Sequence, residues 1–184
     1  MAELFELERA GKIELYFGDE SGFCQTPVVA KAWQFRDEEI RITPGSNRKR
    51  LNVFGFLNQN CKSQTWTTEK AVAAQFVVEA VDSWVQERLA EPRVIVLDNA
   101  RIHRSLLVQS KLTEWEEKNL YVFYLPPYPP HLNLIEILWR KMKYEWLKAE
   151  DYASFERLSE AVKKILREIG NEYKIKFRDR ISTK

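Results

Sequence analysis

Residues 93–125, RVIVLDNARIHRSLLVQSKLTEWEEKNLYVFYL, decide the fold. Val94–Leu97 is an unbroken apolar run of the kind buried on both faces of a parallel strand pair. A helix is predicted from about Ser105 to Lys118, and Leu120–Leu125 reads as the next strand. Parallel strands gather functional side chains just outside their C-terminal ends. Asp98 stands at such an end, and with it the motif LDNARIH.

Upstream of this unit the pattern is antiparallel. After a short helix at 3–10, Gly11 breaks the period and Ile13–Phe17 reads as a strand. Val28–Phe35 is a second extended stretch, Pro44-Gly45-Ser46-Asn47 a turn, and Asn52–Asn58 a third strand. Lys62–Thr67 pairs with it across the turn at Asn58–Asn60, completing a meander. Ala73, Phe76, Val77, Ala80, Val81, Trp84 and Val85 recur at three and four, which predicts a helix over 69–90 capped by Thr67 or Thr68. Downstream, Pro126-Pro127-Tyr128-Pro129-Pro130 is a stiff connector to helices at 133–148 and 154–169. Phe155, Leu158, Val162, Ile165 and Ile169 form the apolar stripe of the last. The expected architecture is α/β: a mixed five-stranded sheet, antiparallel meander plus parallel strands, flanked by helices. One domain over 1–170 and a basic tail over 171–184 account for the chain.

Bulk composition sets limits. At 184 residues, 45% apolar and 30% charged, the chain fills one core and is neither disordered nor two typical domains. A net charge of +2 does not point to nucleic acid by itself, so the distribution matters. Arg48-Lys49-Arg50 is a cluster, Arg140, Lys141, Lys143 and Lys148 crowd one helix, and eight Lys or Arg stand against three Asp or Glu from Lys163 to Lys184. Each patch reads either as a phosphate contact or as a solvated face. Two cysteines exclude a thiolate zinc site and a disulfide scaffold, and no apolar run is long enough to span a membrane. A soluble, cytoplasmic protein with no membrane partner is the expectation. Trp84 and Trp139 fall on core-facing helix positions, whereas Trp33, near Arg36, suits a surface platform against DNA.

Three acids carry the chemistry: Asp19 at the end of IELYFGDES, Asp98, and Glu136 in LPPYPPHLNLIEILWRKMK. Two carboxylates at strand ends and one on a helix suit a pair of Mg²⁺ ions about 3.5–4 Å apart, with Mn²⁺ as a substitute, the usual clamp for in-line displacement at phosphorus. Local alternatives stand beside this. Asp19 caps a turn with Ser21, Asp98 forms an Asx-turn toward Ala100, and Glu136 completes a capping box with Asn133. His103 contacts a phosphate, orients a metal-bound water, caps the helix or is a satisfied core histidine; Asn99 contacts a water or ligand of the site. Arg101, Arg104, Lys141 and Lys143 flank the second and third acids and, with Arg48, Lys49 and Arg50, are the candidate DNA contacts.

FGDESGF, VIVLDNARIHRS and LPPYPPHLNLIEILWRKMK together resemble the three catalytic blocks of bacterial insertion-sequence transposases related to the mariner elements, members of the DDE superfamily. The likeness covers roughly residues 11–170, and the 37 residues between Asp98 and Glu136 fit that group's spacing. It implies a ribonuclease-H-like fold and Asp19, Asp98 and Glu136 as metal-binding catalytic acids, with His103 and Asn133 in supporting positions. The implied activity is DNA cleavage and strand transfer on element ends and a target duplex, in a bacterial cytoplasm and nucleoid-associated when bound. A ribonuclease or structure-selective nuclease of the same fold, and a catalytically silent DNA-binding remnant, are the alternatives. Pro129 and Leu134 depart from the group's third block, in which a small residue follows the tyrosine and a proline the asparagine. The helix-turn-helix modules that precede the catalytic domain in such transposases are expected to be absent here or encoded separately. A dimer is expected to form on DNA.

Overall fold

A computed structural model describes residues 1–26, 49–126 and 133–177. In chain order these form α1 (Ala2–Arg9), β1 (Glu14–Cys24), β2 (Arg50–Leu57), β3 (Ser63–Thr68), α2 (Ala74–Trp84), β4 (Arg93–Leu97), α3 (Leu106–Glu117), β5 (Leu120–Tyr124), α4 (Ile135–Lys141) and α5 (Phe155–Arg167). A π turn over Met142–Trp146 prolongs α4, and a 3-10 turn over Ala149–Ala153 leads into α5. The expected strand at Val28–Phe35, the turn at 44–47, Trp33, Arg36, Arg48, most of the proline connector, His131 and residues 178–184 lie outside the described residues.

The strands make one sheet in the order β3-β2-β1-β4-β5. β1 pairs antiparallel with β2, and β2 with β3; β4 lies parallel to both β1 and β5. This is the mixed sheet expected. Side chains alternate across it. Leu15, Phe17, Phe23, Val53 and Val96 face one layer, where Leu138, Trp139, Leu158, Val162 and Ile165 of α4 and α5 close over them. Tyr16, Phe54, Phe56, Ile95 and Leu97 face the other, under Val77 and Val81 of α2 and Val108 and Trp115 of α3. Each fully buried large apolar side chain contributes roughly 1.5–3 kcal/mol relative to exposure, so these two layers stabilise the domain. Trp84 stacks on Phe56 at 4.7 Å between ring centroids, and Trp139 is buried, as their helix positions predict.

Local chemistry sets the element ends. Ser105 and Ser154 cap α3 and α5, accepting from the backbone N–H groups of Val108 at 3.3 Å and Arg157 at 3.1 Å. Asn58 closes the β2–β3 turn, its Oδ1 accepting from the N–H groups of Asn60 (3.0 Å) and Lys62 (2.8 Å). Cys61 in that turn has φ 58 and is buried. Its Sγ lies against the backbone of Ile175, 3.3 Å from the N–H and 3.2 Å from the carbonyl, so the chain beyond α5 stays docked on the sheet.

Three boundaries differ from the sequence reading. β1 does not stop at Asp19 but continues to Cys24, because β2 offers backbone partners from Glu20↔Phe54 through Cys24↔Arg50. α2 covers only 74–84. Thr67 and Thr68 are taken up by β3, pairing with Val53 and Asn52, and Ala73 precedes the helix without a side-chain cap. At its other end Val85 leaves helical geometry and stays buried while residues 86–88 are exposed, so no apolar face rewards further turns. The helix predicted over 133–148 is α4 plus the π turn, in which the Leu147 N–H reaches back to the Met142 carbonyl at 3.0 Å. None of the described helices is long and apolar enough to cross a membrane.

Gly18 marks a close approach of β1 to the apolar core. A Cβ there would lie 2.6 Å from the Phe56 ring and 2.7 Å from a Leu97 methyl. Gly18→Ala is expected to destabilise the domain by about 1–3 kcal/mol through overpacking. Urea unfolding checks this; an unchanged midpoint would mean that Phe56 and Leu97 yield freely.

Candidate active site

The parallel ladder between β1 and β4 ends at Phe17↔Val96. Asp19 lies just past that last pair, opposite Gly55 of β2, and Asp98 directly follows β4. The sheet thus delivers both carboxylates to one edge, although Asp19 sits inside a strand and not at its end. Asp19 feels the charge of Asp98. Burial raises the Asp19 carboxyl, and the charges of Glu20 and Asp98 raise it further; the Glu20 N–H and His103 work against this, and the group stands at about 7. Asp98 moves the opposite way, lowered chiefly by its bond from His103 against the effect of burial, with the Ala100 N–H assisting.

His103 is fully buried. Its Nδ1 lies 2.7 Å from Asp98 Oδ1, and its Nε2 faces Glu20 Oε2 at 3.3 Å, an ion-pair distance without hydrogen-bond alignment. Burial alone would lower the imidazole, but Asp98 and Glu20 outweigh it and hold the group at about 9. The helix-capping role considered for His103 belongs to Ser105. The Asx-turn considered for Asp98 is present as well: Oδ1 also accepts from the Ala100 N–H at 2.9 Å. Glu20 is the residue that sequence reasoning missed. Next to Asp19 in a strand, it points to the opposite face, so only the strand's continuation past Asp19 would have revealed it.

The other predicted residues divide. Asn99 is a bracket: its amide donates to the Leu125 carbonyl, and its oxygen accepts from Arg104 Nε at 2.7 Å. Arg104 also lies over the Tyr124 ring at 4.4 Å, whereas Arg101 is exposed. Asn133 is buried and does not cap α4; its Nδ2 donates to the Gly18 carbonyl at 3.2 Å, tying the approach to α4 to the residue before Asp19. Glu136 is exposed on the first turn of α4. Lys143, on the π turn, sits over the Phe23 ring at 5.3 Å. Burial lowers its ammonium, nearby Arg50 adds to that, and Asp19 opposes it, so Lys143 lies within electrostatic reach of the first acid. Lys49 pairs with Glu156 at 3.5 Å and Lys141 with Glu145 at 2.6 Å, both on the surface.

Asp19 and Asp98 supply an all-oxygen donor set, which suits a hard divalent cation, and the Asp19 carboxyl, raised first by burial and then by the charges of Glu20 and Asp98, marks a place where added positive charge is favoured. Among the described residues no three His, Cys, Asp or Glu side chains gather closely enough to hold a metal ion, so Glu136 is not drawn in with the other two.

A model of the DDE superfamily endonucleases matches residues 14–159. The chain belongs to that family. This DDE endonuclease is 27% identical over 129 residues to the insertion element IS630 uncharacterized 39 kDa protein of Shigella sonnei, a match covering 70% of the chain and 37% of that protein. In fold it is similar to the catalytic domain of Mos1 mariner transposase (TM-score 0.54, 16% identity, 90% of this chain and 76% of that one). It is similar also to the Mos1 strand transfer complex (0.55, 16%, 92% and 53%) and to the catalytic core of BIV integrase (0.54, 12%, 88% and 86%). These likenesses make the fold ribonuclease-H-like, as expected. The chain spans little more than a third of its curated relative and about half of the full Mos1 chain.

A pH dependence follows from the two raised groups. Folded Asp19 (about 7 against 3.8) and His103 (about 9 against 6.5) bind protons more tightly than in the unfolded chain. Their contribution to stability is complete at low pH and is lost as pH rises, the Asp19 part first and the His103 part last. Thermal melts of metal-free protein are expected to fall progressively from about pH 5 to about pH 9. Asp19→Asn should flatten the lower part of this curve and melt several degrees above the parent at mildly alkaline pH. A Tm in Asp19→Asn equal to the parent's throughout would contradict the raised carboxyl.

Proposed function

We propose that this chain is the catalytic part of a transposase, cutting DNA and joining it to a target with Mg²⁺ or Mn²⁺ at Asp19 and Asp98, to which Glu136 would be brought as the third acid. The observation that carries the reading is the placement of Asp19 and Asp98 at one edge of the sheet, where the β1–β4 ladder ends. Asn133 supports Glu136 as the third acid, since it links the approach to α4 to Gly18 beside Asp19. A divalent metal at such a site lowers the pKa of an attacking hydroxyl and neutralises charge on the phosphate oxygens.

This chain's residues hold and orient. The carboxylates would hold the cations that receive the reacting phosphate at the sheet edge, with Asp98 restrained by His103 and the Ala100 N–H. In the first step a water oxygen attacks phosphorus, and the bond to the 3′ oxygen breaks, releasing a 3′-hydroxyl at the element end. In the second, that hydroxyl attacks a target phosphate in line, and the target's own 3′ oxygen leaves. Lys143 beside Asp19, Arg50 near Lys143, and Arg101 after Asp98 would bear on the DNA backbone, with Lys49, Arg104 and Lys141 in the same role. The element ends are brought together by a second copy on DNA. The isolated chain is expected to be a monomer or weak dimer in light scattering, and a tight DNA-independent dimer would contradict this.

Asp98→Asn should abolish Mn²⁺-dependent nicking of duplex DNA while leaving the fold intact by circular dichroism. Nicking at the parental rate would sink the assignment, and cleavage confined to RNA–DNA hybrid would favour the ribonuclease alternative. Neutralising Lys49 and Arg50 together should weaken binding to unrelated duplexes alike and reduce the slope of log affinity against log salt by about 2. The exposed Lys49–Glu156 pair is too weak to hold Lys49 back from phosphate. A loss limited to one sequence would argue against phosphate contact.

A further inference from the structure

Glu20 has no role in the reaction just described, yet it belongs to the same cluster. It extends from β1, the central strand, and its backbone is fixed by pairing with Phe54 of β2. From there Oε2 faces Nε2 of the fully buried His103 at 3.3 Å, and the other ring nitrogen meets Asp98 Oδ1 at 2.7 Å. The Phe54 ring packs beside the imidazole at 6.0 Å, and the Tyr124 hydroxyl donates to the His103 carbonyl at 2.8 Å. No exposed surface remains on His103 for water to orient it. A ring held at Nδ1 alone can still swing about that bond, whereas a contact at each nitrogen fixes its plane.

The consequence falls on Asp98. His103 and the Ala100 N–H both engage Oδ1, which leaves Oδ2 as the oxygen without a partner among the described residues. We propose that Glu20 is a positioning residue: it holds the His103 ring from the opposite face of β1, and the ring presents Asp98 with Oδ1 occupied and Oδ2 available to a divalent cation. Two successive residues of one strand thereby serve one site, Asp19 directly and Glu20 through the histidine. This rests on Asp98 being a metal ligand. Partners that orient a ligand from behind typically change metal affinity by about 10–100-fold when removed.

The test separates position from charge. Glu20→Asp keeps the carboxylate but withdraws it from His103 by one methylene, Glu20→Gln keeps the reach and an acceptor oxygen without the charge, and Glu20→Ala removes both. Mn²⁺ binding to each full chain, without DNA, is followed by electron paramagnetic resonance. Histidine-selective ¹⁵N spectra report the ring, with only His103 and His131 to assign. Expected are losses of about 10–100-fold in affinity for Glu20→Ala and Glu20→Asp, with displaced His103 signals, and near-parental behaviour for Glu20→Gln. If the alanine variant does not fold, the aspartate and glutamine variants decide. Aspartate binding as well as or better than glutamine, or alanine binding like the parent, would overturn the proposal. Asp98→Asn serves as the reference: unchanged Mn²⁺ binding there overturns the metal-ligand reading itself. Loss there with none in Glu20→Asp overturns only the role of Glu20.

Discussion

Parallel pairing between β1 and β4 stops at Phe17 and Val96, whereas β1 keeps its antiparallel partner as far as Cys24 and Arg50. The central strand therefore runs on past its parallel neighbour, supported on the β2 side, while β4 gives way to the Asp98 turn. Asp19 stands on this one-sided stretch. The carbonyl of Gly18 just before it receives the Asn133 amide, so α4 is registered against the same point. Gly18 has no side chain to hold Phe56 and Leu97 away, which lets the opposite layer close tightly beneath the site.

Much of this was legible from periodicity. The stripe of α5 is buried at every position expected, and β4 and β5 fall within a residue of their apolar runs. Legibility failed where polar side chains interrupt the packing pattern. Asp19, Glu20 and Ser21 break the apolar alternation of β1, so the strand seemed to end there. Glu20 escaped notice for the same reason, since its partner His103 is remote in sequence and on the other face. The ends of α2 were unreadable for a different cause. Residues 69–72 and 86–88 do not conflict with helix, and only the competing β3 pairing and the exit at Val85 exclude them.

Three acids and a histidine placed in a core edge are an electrostatic liability for a resting protein. Burial and mutual repulsion disfavour the charged Asp19, and His103 is tolerated without water because acids meet it on both sides. The cluster is thus frustrated in isolation and satisfied by added positive charge. On the proposed reading, stability and activity are set against each other at Asp19, where the substitution that relaxes the fold would remove a metal ligand.

The clasp between Cys61 and Ile175 joins positions 114 apart in sequence. The β2–β3 hairpin can form early from neighbouring residues, but its turn gains this backbone contact only once the segment after α5 has come home. Closing so long a loop is entropically slow compared with forming the hairpin. Assembly of the domain is therefore expected to have a late step, in which the segment after α5 locks a turn made far upstream, and a nascent polypeptide arrested before Ile175 would carry the sheet without its latch.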